Sequence, residues 1–143
     1  MSIYTHKALD LLEKHALDAA IAEKFLGWTL GDDPEKSSCK RWFNEKGEPT
    51  KYGTGCGMRL FHPSEDLNIA FPEIIDRLKE SNLTITCTIT GDIYTCGIYN
   101  DVQREMAHWY DGSLGVAICK AALKLLIRNA HKESKAAHKE TTC

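Results

Sequence analysis

Hydrophobic and polar positions follow three different rhythms along this chain. From Thr5 to Phe25 the apolar positions Leu9, Leu12, Ala16, Ala19 and Ala20 recur every three or four residues on a background of Ala, Leu, Glu and Lys. That spacing predicts a first helix, with Gly27 as its stop and Trp28 as a large side chain that must then be packed. From Leu83 to Thr90 the alternation is strict, with Ile85, Cys87 and Ile89 on one face and Thr84, Thr86, Thr88 and Thr90 on the other. Gly91-Asp92 and a second run, Ile93 to Tyr99, complete a β-hairpin signature. With Gly91 and Asp92 as the loop, Thr90 faces Ile93, Ile89 faces Tyr94, Cys87 faces Cys96 and Ile85 faces Ile98. Leu114 to Ile127 has the third rhythm, apolar on nearly every side, which describes a helix covered by more than one layer. Ser113 is its expected cap, and Lys120, Lys124 and Arg128 form one charged stripe that reads as its solvent edge.

Between these segments the signals are shorter. Gly31-Asp32-Asp33-Pro34 reads as loop, and Ser38 to Phe43 and Lys51 to Phe61 read as two strands joined around Asn44 to Pro49. Gly53, Gly55 and Gly57 in the second of these suggest a bulge or a close approach by another backbone or a ligand. A second helix is expected from Pro63-Ser64, with Ser64 as N-cap and Glu65 and Asp66 in its first turn. Its core face would be Leu67, Ala70, Phe71, Ile74, Ile75 and Leu78, bent at Pro72. Asp101 to Gly112 reads as a polar and aromatic loop with a helical turn at Gln103 to His108. The resulting order is α-β-β-α-β-β-α, an α+β class with an antiparallel sheet flanked by helices on both faces. A single sandwich domain is expected over residues 1–128, and a polar helical extension or frayed tail over residues 129–143.

Composition narrows the class. In 143 residues, 43% hydrophobic and 27% charged, one globular core is expected. A net charge of −2 offers no general attraction to nucleic acid or to an anionic membrane, so neither is expected as a partner. No apolar run is long enough for a signal peptide or a membrane span, and a cytosolic location follows as the expectation. Six cysteines in such a chain are expected to be reduced thiols, Cys87 and Cys96 included, although their facing positions would allow a bridge. No C-x-x-C pair signals zinc, and His131 and His138 stand two turns apart on the tail, so no metal site is expected.

Four stretches carry a resemblance. They are Phe25-Leu26-Gly27-Trp28, Trp42, Ser64-Glu65-Asp66 with Ala70-Phe71, and Ala117-Ile118-Cys119-Lys120-Ala121-Ala122-Leu123. In this order they resemble the phage α-β-α (ABA) sandwich domain, a family of small phage and prophage accessory proteins. Ala70-Phe71-Pro72-Glu73-Ile74-Ile75 is also similar to a related phage group with an aromatic-proline pair in the corresponding helix. The resemblance implies an accessory protein of a phage or prophage acting inside the bacterial cell, with no catalytic motif attached. Sequestration of a nucleotide immune signal is a job that such a protein would suit.

The chemistry points the same way. No phosphate loop, dinucleotide fingerprint, nucleophile elbow or two-histidine metal helix is present, and no cofactor is implied. Acid-base work would have to draw on His62, Asp66 and His108, which no spacing selects. Two helix starts, His62-Pro63-Ser64 and Asp111-Gly112-Ser113-Leu114-Gly115, instead present polar turns suited to an anion. Arg59 would add a phosphate contact, and His108, Trp109 and Tyr110 a surface for a base. The candidate ligand-binding residues are therefore Arg59, His62, Ser64, Asp66, His108, Trp109, Tyr110 and Ser113. The expected function is a non-enzymatic protein sequestering a nucleotide-like small molecule, with a homo-oligomer whose subunits share the pocket as the expected assembly. The alternatives are a protein-binding inhibitor of a host factor and a small nucleotide-processing enzyme.

Overall fold

A computed structural model describes residues 6–35, 39–54 and 58–141, with side chains described as far as residue 129. The chain runs α1 (His6–Asp10), α2 (Lys14–Ala20) with a π-helical turn Ile21–Phe25, β1 (Thr29–Asp32), β2 (Lys40–Phe43) and β3 (Pro49–Thr54). It continues with α3 (Leu67–Ala70), a second π-turn Phe71–Ile75, α4 (Asp76–Glu80), β4 (Thr84–Thr90), β5 (Ile93–Tyr99), β6 (Glu105–Asp111) and α5 (Leu114–Thr141). The α+β class holds. The order differs from the expected one, because six strands form two separate antiparallel sheets, β1-β2-β3 and β4-β5-β6.

The apolar helix α5 is the centre of the molecule. One side lies on β5 and β6 and the other meets α1, α2, the first π-turn and α3. Ala117, Ile118, Cys119, Ala121 and Ala122 are fully buried in consequence. Helices were expected on both faces of a sheet. The face of the second sheet away from α5 instead carries exposed Thr84, Thr86, Thr88, Thr90, His108 and Tyr110. The charged stripe is corrected as well. Lys120 is 5% exposed and donates to the Asp10 carbonyl at the end of α1, while Arg128 donates to the carbonyls of Glu105 and Met106. These cations complete backbone groups left open by a helix end and a strand.

The register of the β4-β5 hairpin is the one read from the sequence, Cys87 facing Cys96 and Ile85 facing Ile98. Gly91 has φ 63, as the first residue of a type II′ loop requires. Cys87 and Cys96 are free thiols with sulfurs 3.1 Å apart, and Cys119 is also free. Cys39 is disulfide-bonded and 3% exposed, which corrects the expectation of uniformly reduced thiols.

β1 and β6 were not anticipated. Each hairpin that β6 and β3 belong to turns on one asparagine. Asn44 Oδ1 accepts from the N–H groups of Lys46 and Glu48, and Gly47 closes the loop at φ 80. Asn100 Oδ1 accepts from Val102 and Arg104 in the same way, and Gln103 stands at φ 61 where the first loop has glycine. Residues 103–108 are therefore loop and strand, and the expected helical turn is absent because Asn100 closes a hairpin there.

The helices depart from their expected phases for local reasons. α1 and α2 are separated at Leu11–Glu13, where Glu13 is extended, so Ala16 is exposed and Leu17 is buried. In the second helical stretch, Pro72 sits in the π-turn, which accommodates its missing donor. The phase shift leaves Phe71 46% exposed and buries Ile69, Ala70, Ile74 and Leu78. Ser64 is not the N-cap. Asp66 is, accepting from the Asn68 N–H at 2.9 Å. Strand β3 ends at Thr54, short of the expected Phe61, and Ser38, Gly55 and Gly57 lie outside the described residues.

Candidate functional site

The two polar helix starts singled out in the sequence do meet, through their backbones. A Cβ on Gly115 would lie 2.3 Å from the Ser64 carbonyl oxygen and 3.0 Å from that of Pro63, so only glycine lets the 63–64 turn sit against the first turn of α5. On its other side the turn is held by Asp18, whose Oδ1 accepts from the Ser64 N–H at 2.9 Å. Burial pushes the Asp18 carboxyl above its ordinary range, and the Ser64 bonds and nearby His62 only partly oppose this. Ser64 is buried and its Oγ lies beside that carboxyl without a well-formed hydrogen bond.

Around this junction two depressions adjoin. One, of about 660 Å³, runs along the start of α2 and is bordered by Lys14, His15, Glu65, Asp111, Val116 and Lys120. The other, of about 240 Å³, shares Lys14, His15 and Glu65 and reaches Asp18, His62, Trp42 and Phe61. His62 Nδ1 is buried there without a hydrogen-bond partner. Lys14 and Glu65 form an ion pair at 3.2 Å, with side chains 63% and 46% exposed. A third, smaller hollow of about 170 Å³ lies beside β6, between Asp10, His108, Trp109, Tyr110 and Lys124.

The expected site residues divide between these places. His62 borders the 240 Å³ cavity, and Ser64 forms part of its supporting turn. Asp66 is committed to capping α3, and Arg59 is an exposed residue whose backbone bridges Tyr52. Ser113 caps α5 as expected, with Oγ 3.5 Å from the Val116 N–H, while its own N–H donates to Asp111. The aromatic trio is split by strand alternation. His108, paired with Glu105, and Tyr110 lie on the open face of the sheet, whereas Trp109 turns inward beneath the ammonium groups of Lys120 and Lys124. Trp109 is thus 6% exposed, with part of its surface on the 170 Å³ hollow that His108 and Tyr110 also border. Sequence reasoning missed Lys14, His15, Asp18 and Lys120; an aspartate beside Leu17 and Ala20 on a helix face, and a lysine inside an all-apolar helix, were the signals available.

Among the described residues no group of three or more metal-ligating side chains is found, and no helix is long and apolar enough to cross a membrane.

A family model, the phage ABA sandwich domain, matches residues 19–123. The chain belongs to that family. The match covers the first π-turn, both sheets and the first part of α5. The search of curated proteins finds no match, and neither does the search of solved structures.

Proposed function

We propose that this phage ABA sandwich protein is a non-enzymatic binder that sequesters a phosphorylated small molecule, with the nucleotide immune signals of the bacterial host as the class of ligand. The observation that carries the reading is the 660 Å³ depression flanked by Lys14, His15 and Lys120 beside the first turn of the 28-residue helix α5. A volume of this size suits a nucleotide, and Lys14, Lys120 and the positive end of α5 favour a phosphate there against the carboxylates of Glu13, Glu65 and Asp111 on the same lining. The Lys14–Glu65 pair is exposed, and such pairs contribute about 0–1 kcal/mol, so a phosphate can exchange for Glu65 at little cost. Lys120 stays tied to the Asp10 carbonyl and acts as a fixed charge at the back of the groove.

The test is incubation with a panel of nucleotides, followed by heat denaturation and analysis of what is released. Intact nucleotide is the expected product; an altered nucleotide would transfer the reading to catalysis, and no binding across the panel would end it. Lys14→Ala should weaken binding about tenfold, the size of one charge-assisted contact, while Arg59→Ala, outside the depression, should leave it unchanged.

A further inference from the structure

Strand β4 is one edge of the second sheet, and its sequence reads the same in both directions: Thr84-Ile85-Thr86-Cys87-Thr88-Ile89-Thr90. In a two-residue hairpin the closing pair, Thr90 and Ile93, exchanges hydrogen bonds, and bonded and non-bonded pairs then alternate along the ladder. Thr84, Thr86, Thr88 and Thr90 therefore direct their backbone groups to β5. Ile85, Cys87 and Ile89 direct theirs to the free edge, where no described residue bonds them. All four threonines and Cys87 are exposed, and Ile89 is 67% exposed because α5 covers β5 and β6 and stops short of this row.

Sheet edges in folded proteins are normally blunted by charge, proline, shortness or a bulge. The other three sheet edges among the described residues follow that rule. β1 has four residues and ends in Asp32, β3 starts with Pro49 and carries Lys51, and β6 carries Glu105, His108 and Asp111 with a register shift against β5. β4 has seven residues with no charge, proline or bulge.

We infer that β4 is a homodimer edge, pairing antiparallel with β4 of a second copy about a two-fold axis at Cys87. A palindromic strand meets the demand of a two-fold interface, in which residue i of one copy contacts residue j of the other and the reverse. Cys87 faces its own counterpart and Ile85 faces Ile89 of the other copy. These are the residues with outward backbone groups, so the whole open ladder is satisfied. On the opposite face Thr86 meets Thr88 and Thr84 meets Thr90. The two sheets merge into one of six strands, with both α5 helices on the same side and the exposed Ile89 of each copy, beside the half-buried Ile85 of the other, filling the furrow between them. The proposal is independent of whether the groove beside α2 binds a nucleotide.

Light scattering after size-exclusion chromatography of the full chain under reducing conditions tests it. A discrete species of twice the 16.1 kDa chain mass is expected. A monomer at all concentrations, or only an open-ended series of aggregates, would overturn the inference. Thr86→Lys with Thr88→Lys in one chain sets like charges opposite one another twice and should raise the dissociation constant about tenfold or more. Thr86→Glu with Thr88→Lys sets opposite charges at the same two places and should remain dimeric. If both double variants behave alike, the register is wrong. Ile89→Pro provides a second route, since a proline whose missing N–H faces the open edge is tolerated within the hairpin but interrupts the ladder between copies. It should be monomeric with an unchanged circular dichroism spectrum, and a dimer would refute the edge assignment.

Discussion

The two sheets close their asparagine-centred hairpins with the same loop but surround their tryptophans differently. Against the first sheet the neighbourhood is aromatic: Trp28, the residue before β1, lies 4.9 Å from Phe61 and 6.0 Å from Tyr52 between ring centres, and Tyr52 is 5.1 Å from Phe61. In the second, Trp109 is roofed by two ammonium groups at 5.8 and 5.7 Å. The first cluster is held mainly by apolar burial and ring geometry, with one ammonium, Lys51 Nζ, 5.4 Å from the Tyr52 ring centre, whereas the Trp109 ring itself is met by two cations. The first sheet is thus a packing unit, and the second ties packing to the electrostatics of α5 and the groove beside it.

The comparison breaks most visibly at the tryptophans. Trp28→Ala and Trp109→Ala should each cost about 3–5 kcal/mol in denaturant unfolding. Only the Trp109 change should also loosen Lys120 and Lys124, so its cost should shrink further in high salt while that of Trp28→Ala does not. The loops come next. Asn44→Ala and Asn100→Ala each leave two backbone donors without their side-chain acceptor and should cost about 1 kcal/mol. At the left-handed position the two loops should respond with opposite sign: Gly47→Ala destabilising by about 1 kcal/mol, and Gln103→Gly stabilising by up to a similar amount, read as shifts in melting temperature.

The smallest effect is a change of slope at Asp18. Its folded pKa lies above the ordinary 3.8 because burial outweighs the Ser64 bonds, so the folded chain holds that proton more tightly than the unfolded one. Stability from this group is therefore greatest below the ordinary value, falls as pH rises through the raised folded value, and is level above it. Asp18→Asn should flatten that fall in urea titrations run across the acidic range, with little change in the fold because the amide oxygen still accepts from Ser64.

These same loops explain what was legible in the sequence. The hairpin of β4 and β5 could be read to the residue because strict alternation and Gly91 agree. The first hairpin was found through Asn44 and Gly47. Its twin at Asn100 was missed because glutamine occupies the left-handed position, which removes the turn signal and with it strand β6. Helix phases failed at the π-turns, since one extra residue in a turn rotates everything after it and no single stripe fits both halves. The candidate site was legible in part: the helix starts at Ser64 and Ser113 do converge, but Lys14, Asp18 and Lys120 gain their meaning only from contacts with distant segments. That Trp109 points inward while His108 and Tyr110 point outward was not legible, because an inward position on a strand cannot be told from an outward one until the strand itself is recognised.

The central place of α5 also bears on how the chain is made. Synthesis proceeds from the N-terminus at about 5–20 residues per second, and segments fold as they emerge. The first sheet is available early, as is the β4-β5 hairpin. The helix that α1, α2, β5 and β6 all pack against leaves the ribosome after all of them. Until it does, the inner face of the second sheet has no cover, and the uncharged β4 edge is open beside it. The nascent protein should then depend most on chaperones, and a stall or truncation before residue 114 should yield an aggregating fragment rather than a shortened domain.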